Sequence, residues 1–264
     1  MKVYAWNVNG LRAVHNKGAL ESFIKKENPD IILFQEIKAR EEQLHETLTD
    51  DTFIRFYNSA EKAGYSGVAI WVHPRNKKIF KSFSKGMPKW KDNEGRVAQC
   101  FLTNNTVIIS VYVPNGGKSE EAYKEKLSFF KLLTTYVKAL QKEGNKVIIG
   151  GDFNVAHNEI DLAEPEKHRN HTHFNDEIRA CIGTLIDAGL TDSYRIRNPD
   201  KKGSYSYWDN FSFSLPRGTK PRDVNSGWRL DYMLVDSETN DHIKEAQIHQ
   251  NILGSDHCPV SIWL

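Results

Sequence analysis

Several apolar runs in this chain end in a carboxylate, an amide or a histidine. Asn7 and Asn9 follow Val3-Tyr4-Ala5-Trp6, and Gln35 and Glu36 follow Ile31-Ile32-Leu33-Phe34. Asn115 follows the run from Val107 to Val113, Asp152 and Asn154 follow Val147-Ile148-Ile149, and Asp256 and His257 follow Ile252-Leu253. The longer runs, closed by turn residues, read as strands buried on both faces. Polar groups gathered from distant strand ends are how a rigid scaffold builds an active site. The set is acids and amides with one histidine and no cysteine, which suits a hard divalent cation beside a phosphoryl group.

Within Gly150-Gly151-Asp152-Phe153-Asn154, strand alternation puts Asp152 and Asn154 on one side and Phe153 in the packing. The two glycines permit close approach of backbone or ligand. Asp152 can then act as a general base toward water with the Asn154 amide as its orienter; an Asx-turn closing the strand is the competing reading. Asn7 and Asn9 share a face by the same alternation. Glu36 ends a strongly apolar run, where an unpaired carboxylate is costly, so either a cation or a salt bridge to a basic residue must answer it. Two carboxylates about 4 Å apart repel by about 4 kcal/mol at an effective dielectric near 20, so a cluster of Glu36, Asp152, Asp231 and Asp256 calls for a cation. Mg²⁺ or Mn²⁺ fits all-oxygen ligands better than Zn²⁺. His257 needs a carboxylate to fix its tautomer, and Asp231, an acid inside Trp228-Arg229-Leu230-Asp231-Tyr232, is the natural partner. Tyr112 and Asn115 flank Pro114 before Gly116-Gly117-Lys118, which reads either as a phosphate-holding loop or as a simple strand-to-helix connection. His168, His171 and His173 lack an acid or cysteine in register for zinc and read as a polar loop.

The elements that must position these groups follow from periodicity. Strands are expected over 2–8, 30–35, 53–57, 67–72, 79–83, 96–102, 106–113, 146–151, 229–236, 246–249 and 259–263. Helices are expected over Ala19 to Glu27, from an N-cap at Ser119 to Gly144, and from Asn175 to Gly189. Many strands with few amphipathic helices suggest sheets packed face to face and covered outside by helices. A chain of 264 residues with no linker, whose candidate residues run from Asn7 to His257, reads as one domain over 1–264.

Lys+Arg exceed Asp+Glu only by 36 to 34, so the net charge of +2 says little about partners. Its distribution says more. His73 to Lys91 carries seven Lys and Arg residues and no acid, with Phe80, Phe83 and Trp90 interleaved; this is either a solvated edge hairpin or a face for a polyphosphate backbone. The long stretch from Arg195 to Arg229 mixes Tyr205, Tyr207, Trp208 and Phe211 with Arg217, Lys220 and Arg222, a composition that suits stacking on bases or wedging into a duplex. Cys100, Cys181 and Cys258 have no CxxC spacing, so a disulfide framework is not expected. No apolar run approaches 18 residues and no signal-like segment is present, which makes a cytoplasmic protein without membrane contact the expectation.

Taken in order, Trp6-Asn7-Val8-Asn9-Gly10-Leu11-Arg12, Gln35-Glu36-Ile37-Lys38, Gly64-Tyr65-Ser66-Gly67-Val68-Ala69, Tyr112-Val113-Pro114-Asn115-Gly116, Gly151-Asp152-Phe153-Asn154-Val155-Ala156-His157, Trp228-Arg229-Leu230-Asp231-Tyr232 and Gly254-Ser255-Asp256-His257-Cys258-Pro259 resemble the exonuclease III family of apurinic/apyrimidinic endonucleases, within the endonuclease/exonuclease/phosphatase superfamily. The resemblance covers the whole chain, and the last three segments are highly specific.

It implies a four-layered α/β sandwich, two mixed sheets face to face with helices outside. It implies that Glu36 binds Mg²⁺ (or Mn²⁺), with Asn7, Asn9 and Asp256 near the metal; some relatives have Asp where Asn9 stands. Asp152 would orient and deprotonate the attacking water, held by Asn154. His257, paired to Asp231, would contact the scissile phosphate with Tyr112 and Asn115. Tyr207, Trp228 and Leu230 match positions lining the pocket for a flipped-out baseless sugar, and Lys118 and Phe211 match positions that enter the duplex. The implied activity is hydrolysis 5′ to abasic sites in double-stranded DNA, with trimming or cleaning of 3′ ends, by a monomer that is cytoplasmic or nucleoid-associated. The alternative is a phosphatase or phosphodiesterase of the same superfamily acting on inositol phosphates or phospholipids. The basic aromatic stretch and the absence of a membrane-binding amphipathic element argue against it. A DNA-binding module without catalysis would be expected to have lost at least one of Glu36, Asp152, Asn154, Asp231 and His257.

Overall fold

Each apolar run becomes a strand because the fold covers both of its faces. The structure, a computed structural model, describes residues 1–48, 52–209 and 215–264. The strands are β1 (Lys2–Asn7), β2 (Ile31–Gln35), β3 (Ile54–Asn58), β4 (Val68–Val72), β5 (Phe80–Lys85), β6 (Val97–Leu102), β7 (Thr106–Tyr112), β8 (Lys146–Asp152), β9 (Leu190–Asp192), β10 (Asp231–Asp236), β11 (Glu245–Ile248) and β12 (Val260–Trp263). The helices are α1 (Leu11–Asn16), α2 (Ala19–Glu27), α3 (Glu41–Thr47), α4 (Glu120–Lys142), α5 (Asp176–Asp187) and α6 (Ser237–Asp241).

Two six-stranded mixed sheets result, in the orders β11-β12-β1-β2-β4-β3 and β5-β6-β7-β8-β10-β9. Each has one central parallel pair, β1 with β2 and β7 with β8, and antiparallel neighbours elsewhere. Alternation divides the strands between layers. Val3, Ala5, Ile31 and Leu33 of one sheet meet Ile108, Ile148 and Met233 of the other, while Tyr4, Trp6, Ile32 and Phe34 face α1, α2 and α3. On the far side Val107, Ile109, Val147 and Ile149 pack against Phe130, Leu133 and Val137 of α4 and Ile178, Ile182 and Leu185 of α5. Four layers follow, helix–sheet–sheet–helix, as expected.

Every expected strand is present with its ends shifted by two residues or fewer. Ser119 caps α4 by accepting the Ala122 N–H, and Asn175 caps α5 by accepting that of Ile178. Unforeseen were β9, α1, α3 and α6, all too short to show a period. The basic run from His73 to Lys91 supplies β5, an edge strand whose Phe80 and Phe83 stack on Phe56 of the facing sheet at 4.9 and 4.7 Å. Its lysines coat an edge, as they do where a sheet must resist further pairing.

Candidate active site

Both parallel pairs run the same way into one end of the sandwich. Asn7 and Gln35 end β1 and β2 opposite each other, and Tyr112 and Asp152 end β7 and β8 opposite each other. Antiparallel β10 starts there, with Asp231 directly across from Asp152. His257 arrives from the turn before β12 and forms an isolated bridge with Tyr207. Gly150 lets the sheets close behind Asp152, since a Cβ there would sit 2.6 Å from Met233 Sδ and 2.7 Å from Leu33 Cδ1. Asn9, Glu36 and Asn154 break from their strands with φ of 45°, 51° and 53°. Non-glycine residues in this region carry strain, and such strain gathers at functional sites.

One network joins these ends. Asn7 Nδ2 donates to Glu36 Oε1 at 2.9 Å and to Asp152 Oδ2 at 2.8 Å. Asn7 Oδ1 accepts the Asn9 N–H at 3.0 Å, which fixes the amide with its donors toward the acids. Asp152 Oδ1 accepts the Asn154 N–H at 2.8 Å. His257 Nδ1 lies 2.7 Å from Asp231 Oδ2, and its Nε2 lies 3.8 Å from Asp152 Oδ2. Asp231 is itself seated by Ser206, whose hydroxyl accepts the Leu230 and Asp231 N–H groups at 3.0 Å.

Burial alone would strip the proton from His257, but the charges of Asp231 and then Asp152 outweigh it and hold the ring up at about 10. The ring is therefore an imidazolium at neutral pH, with Nε2–H free to donate. Asp152 is pushed up by its burial and by the nearby charges of Asp231 and Glu36, against the pull of His257. A carboxylate made more basic and set beside a cationic donor is suited to taking a proton from water.

Glu36, Asp152 and His257 each offer a ligating atom, all within 4.8 Å of one another, the only such group among the described residues. Glu36 Oε2 already draws the Lys38 ammonium to 2.8 Å, and Asp231 Oδ1 is buried with no partner among the described residues. This crowd of acids short of positive charge, with hard oxygen donors foremost, fits a divalent cation held by Glu36 and faced by Asp152. The salt bridge weighed for Glu36 from sequence is thus present as well, through Lys38.

Hydrogen bonds and burial add detail to four of the expected positions. Asn7 turns its NH₂ toward the acids, because Asn9 N–H claims its oxygen, and so aligns the carboxylates of Glu36 and Asp152. Asn9 and Asp256 pair with each other at 2.9 Å, and Lys38 links this pair to Glu36 by donating to Asn9 Oδ1 as well. Asn154 holds Asp152 through its backbone N–H, the Asx-turn bond, while its side chain donates to Val113 O at 2.9 Å and accepts from Asn115 at 3.4 Å. Leu230 is 1% exposed and packs beneath Tyr207 and Trp228 with Ala156, Leu162 and Phe174, so it supports the pocket wall without lining it.

The remaining candidates sit around this centre. Tyr112 faces Glu36 and Asp152, and its burial and their charges drive its ionisation far above the ordinary phenol range. Lys118 lies over the Tyr65 ring at 5.2 Å. The Tyr207 ring lies tilted 4.7 Å from that of His257 and, with Trp228 and Asn115, lines a 370 Å³ cavity. His168 and His171 close that cavity against Trp228, at 4.6 and 5.2 Å between ring centres. Phe211 lies outside the described residues. Cys100 and Cys258 are buried thiols and Cys181 is free, as expected.

Sequence reasoning missed three cations. Arg96 donates to Tyr112 O at 3.1 Å and lies 4.7 Å over its ring, which steadies the phenol. Arg229, wholly buried, binds Asp161 and Asp192 behind Trp228 and Leu230. Lys126, also wholly buried, sits on the inner face of α4. The available signal was a charge in register with an apolar face, Lys126 between Tyr123 and Phe130 and Arg229 between Trp228 and Leu230.

Residues 4–257 match the model of the endonuclease/exonuclease/phosphatase family. The chain is 37% identical to an exodeoxyribonuclease of Bacillus subtilis over 262 residues, covering 99% of this chain and 98% of that one. It is 32% identical over 278 residues to a DNA-(apurinic or apyrimidinic site) endonuclease of Dictyostelium discoideum, covering 99% of this chain and 70% of the other. Its fold is similar to that of a Neisseria 3′ phosphatase bound to product DNA hairpin, with a TM-score of 0.86, 26% identity, and 100% and 99% of the two chains covered.

Proposed function

The chain belongs to the endonuclease/exonuclease/phosphatase family, and from this we propose a DNA-repair nuclease that hydrolyses the phosphodiester 5′ to abasic sites in duplex DNA and trims or cleans 3′ ends. The observation that carries this reading is the meeting of Asp152, His257, Asp231 and Glu36 at one end of the sandwich, beside an aromatic cavity. The family is metal-dependent, and Glu36 with Asp152 opposite is where Mg²⁺, or Mn²⁺ in its place, would be held. A cation there supplies charge to offset that building on the phosphoryl oxygens and the leaving group.

Asp152, locked by Asn7 Nδ2 and the Asn154 N–H, aims a water and accepts its proton. His257, kept protonated by Asp231, donates Nε2–H to a phosphoryl oxygen and stabilises the charge that grows there. Tyr112 and Asn115 donate to the same phosphate from the strand end and the following loop. Tyr207 and Trp228 line the 370 Å³ cavity that takes the nucleotide beside the scissile bond, a baseless one entering at least cost because no base pair is lost. A second, 510 Å³ cleft, lined by Asn9, Asp209, Asp256, Lys17, Lys220 and Arg222, offers three cations to a phosphate backbone. Lys118 stands at the rim for contact with the duplex.

We read residues 1–264 as one domain acting as a monomer, cytoplasmic or nucleoid-associated. Among the described residues no helix is long and apolar enough to cross a membrane. No observation favours inositol phosphates or phospholipids over DNA.

The test is cleavage of end-labelled duplexes carrying an abasic analogue, a recessed 3′ end, a 3′-phosphate or a uracil, with an inositol phosphate as comparison. The Asp152→Asn variant should keep its fold and DNA affinity and lose at least about 10²-fold in rate. Activity should vanish in excess EDTA and return with Mg²⁺. Near-normal turnover by Asp152→Asn removes that residue from the reaction, and a wild type inert on every DNA substrate overturns the whole reading.

A further inference from the structure

Lys126 is the one charged residue on the buried face of α4, among Phe129, Phe130, Leu133 and Val137. Its ammonium has no carboxylate partner among the described residues. Instead its three donors are each used on a main-chain carbonyl: Asn115 at 3.1 Å, Asn154 at 2.7 Å and Thr172 at 2.8 Å. Gly116, at φ 78°, wraps the lysine stem so closely that a Cβ there would sit 2.8 Å from Lys126 Cδ.

The three carbonyls belong to three separate segments. Asn115 follows β7, Asn154 follows β8, and Thr172 lies in the histidine loop before α5. The side chains of Asn115 and Asn154 meet at 3.4 Å, and His173 Nε2 reaches the same Asn115 carbonyl at 3.2 Å. His171 of that loop packs on Trp228. The lysine thus sits where the phosphate side of the site and the wall of the 370 Å³ cavity join.

A purely structural role would not call for a cation. Taking an ammonium out of water costs several kcal/mol, and an apolar side chain of like volume often serves stability as well or better. Burial brings the ammonium down to about 7 against the pull of the Asp152 charge, and in its protonated form Lys126 holds three carbonyls at fixed mutual distances, which no apolar side chain can do. We propose that Lys126 is a positioning residue for the reaction: it sets Asn115 and Asn154 against the phosphate and fixes the histidine loop relative to both. The proposal rests on the nuclease reading for its kinetic readout but not for its structural one.

The experiment compares wild type with Lys126→Met and Lys126→Gln, the second keeping donors without the charge should the first fail to fold. Thermal unfolding establishes that each is native at the assay temperature. On the best DNA substrate, Lys126→Met should lose about 30- to 100-fold in kcat, the loss expected of a site displaced by about 1 Å, with KM and DNA affinity in EDTA changed by less than about threefold. Lys126→Gln should recover part of the loss. Introduced on an Asn115→Ala/Asn154→Ala background, Lys126→Met should add less than about threefold, because the residues act as one unit. In ¹⁵N spectra the side-chain NH₂ signals of Asn115 and Asn154 should shift in Lys126→Met. A folded Lys126→Met that keeps kcat within about threefold, or shows the full loss on the double-alanine background, overturns the proposal. If wild type cleaves no DNA, the nuclease reading fails alone, and unmoved amide signals then overturn the positioning role by themselves.

Discussion

Replacing Asp231 with asparagine isolates one charge in the centre of the site. The amide oxygen can still accept from His257 Nδ1 in the 2.7 Å geometry, so the ring keeps its place while the carboxylate charge is gone. Two unit charges about 4 Å apart attract by about 4 kcal/mol at an effective dielectric near 20. At 1.36 kcal/mol per pKa unit that is about 3 units. His257, held at about 10 in the wild type, should therefore titrate near 7 in the variant. The sign follows from linkage. A ring whose folded pKa is raised above its unfolded value stabilises the fold fully below about 6.5, and that stabilisation is lost as pH rises through the folded pKa. Asp231→Asn should thus lose most of the wild type's decline in stability between neutral pH and about 10. Kinetically the imidazolium disappears within the working range: the variant should fall about 100-fold behind wild type at pH 9 and stay within about threefold at pH 6. NMR titration of labelled histidines in the metal-free protein reads the midpoint, and kcat against pH reads its consequence. An unmoved His257 midpoint, or an equal loss at pH 6 and pH 9, would refute the reasoning.

Arg229→Met should cost about 3–5 kcal/mol in urea unfolding, because it leaves Asp192 in the interior without its guanidinium and Asp161 with Arg195 alone. Burial would raise the Asp161 carboxyl, but Arg229 and then Arg195 hold it down at about 2. Its contribution to stability is therefore present above about pH 4 and drains away as pH falls through 2, an acid limb that Asp161→Asn should lack. Gly150→Ala should lower stability by about 1–3 kcal/mol, since the methyl meets only the flexible ends of Met233 and Leu33. Gly151→Ala should do worse in the same thermal-unfolding series: its φ is 149° and the new Cβ would lie 2.0 Å from the rigid Val111 carbonyl.

The strands, the long helices and the identity of the chemical groups are legible along the chain, because each is written locally. Ile31 to Phe34 is a continuous apolar run only because both of its faces are covered, and the residues after it are polar only because they leave the sandwich. Asp231 and His257 were legible as partners since an acid in an apolar strand must find a cation. Which atom of each group faces which neighbour emerges only on folding. Asn7 turns donors, not its oxygen, to the acids because a backbone N–H two residues on takes the oxygen, and no spacing rule reveals that choice. Asn154 holds Asp152 by its backbone because φ turns positive there. Lys126 and Arg229 gain their partners from segments many residues away. Periodicity records which side of an element is buried; it is blind to hydrogen bonds made across the junction of two sheets, where direction and distance exist only once the chain has closed.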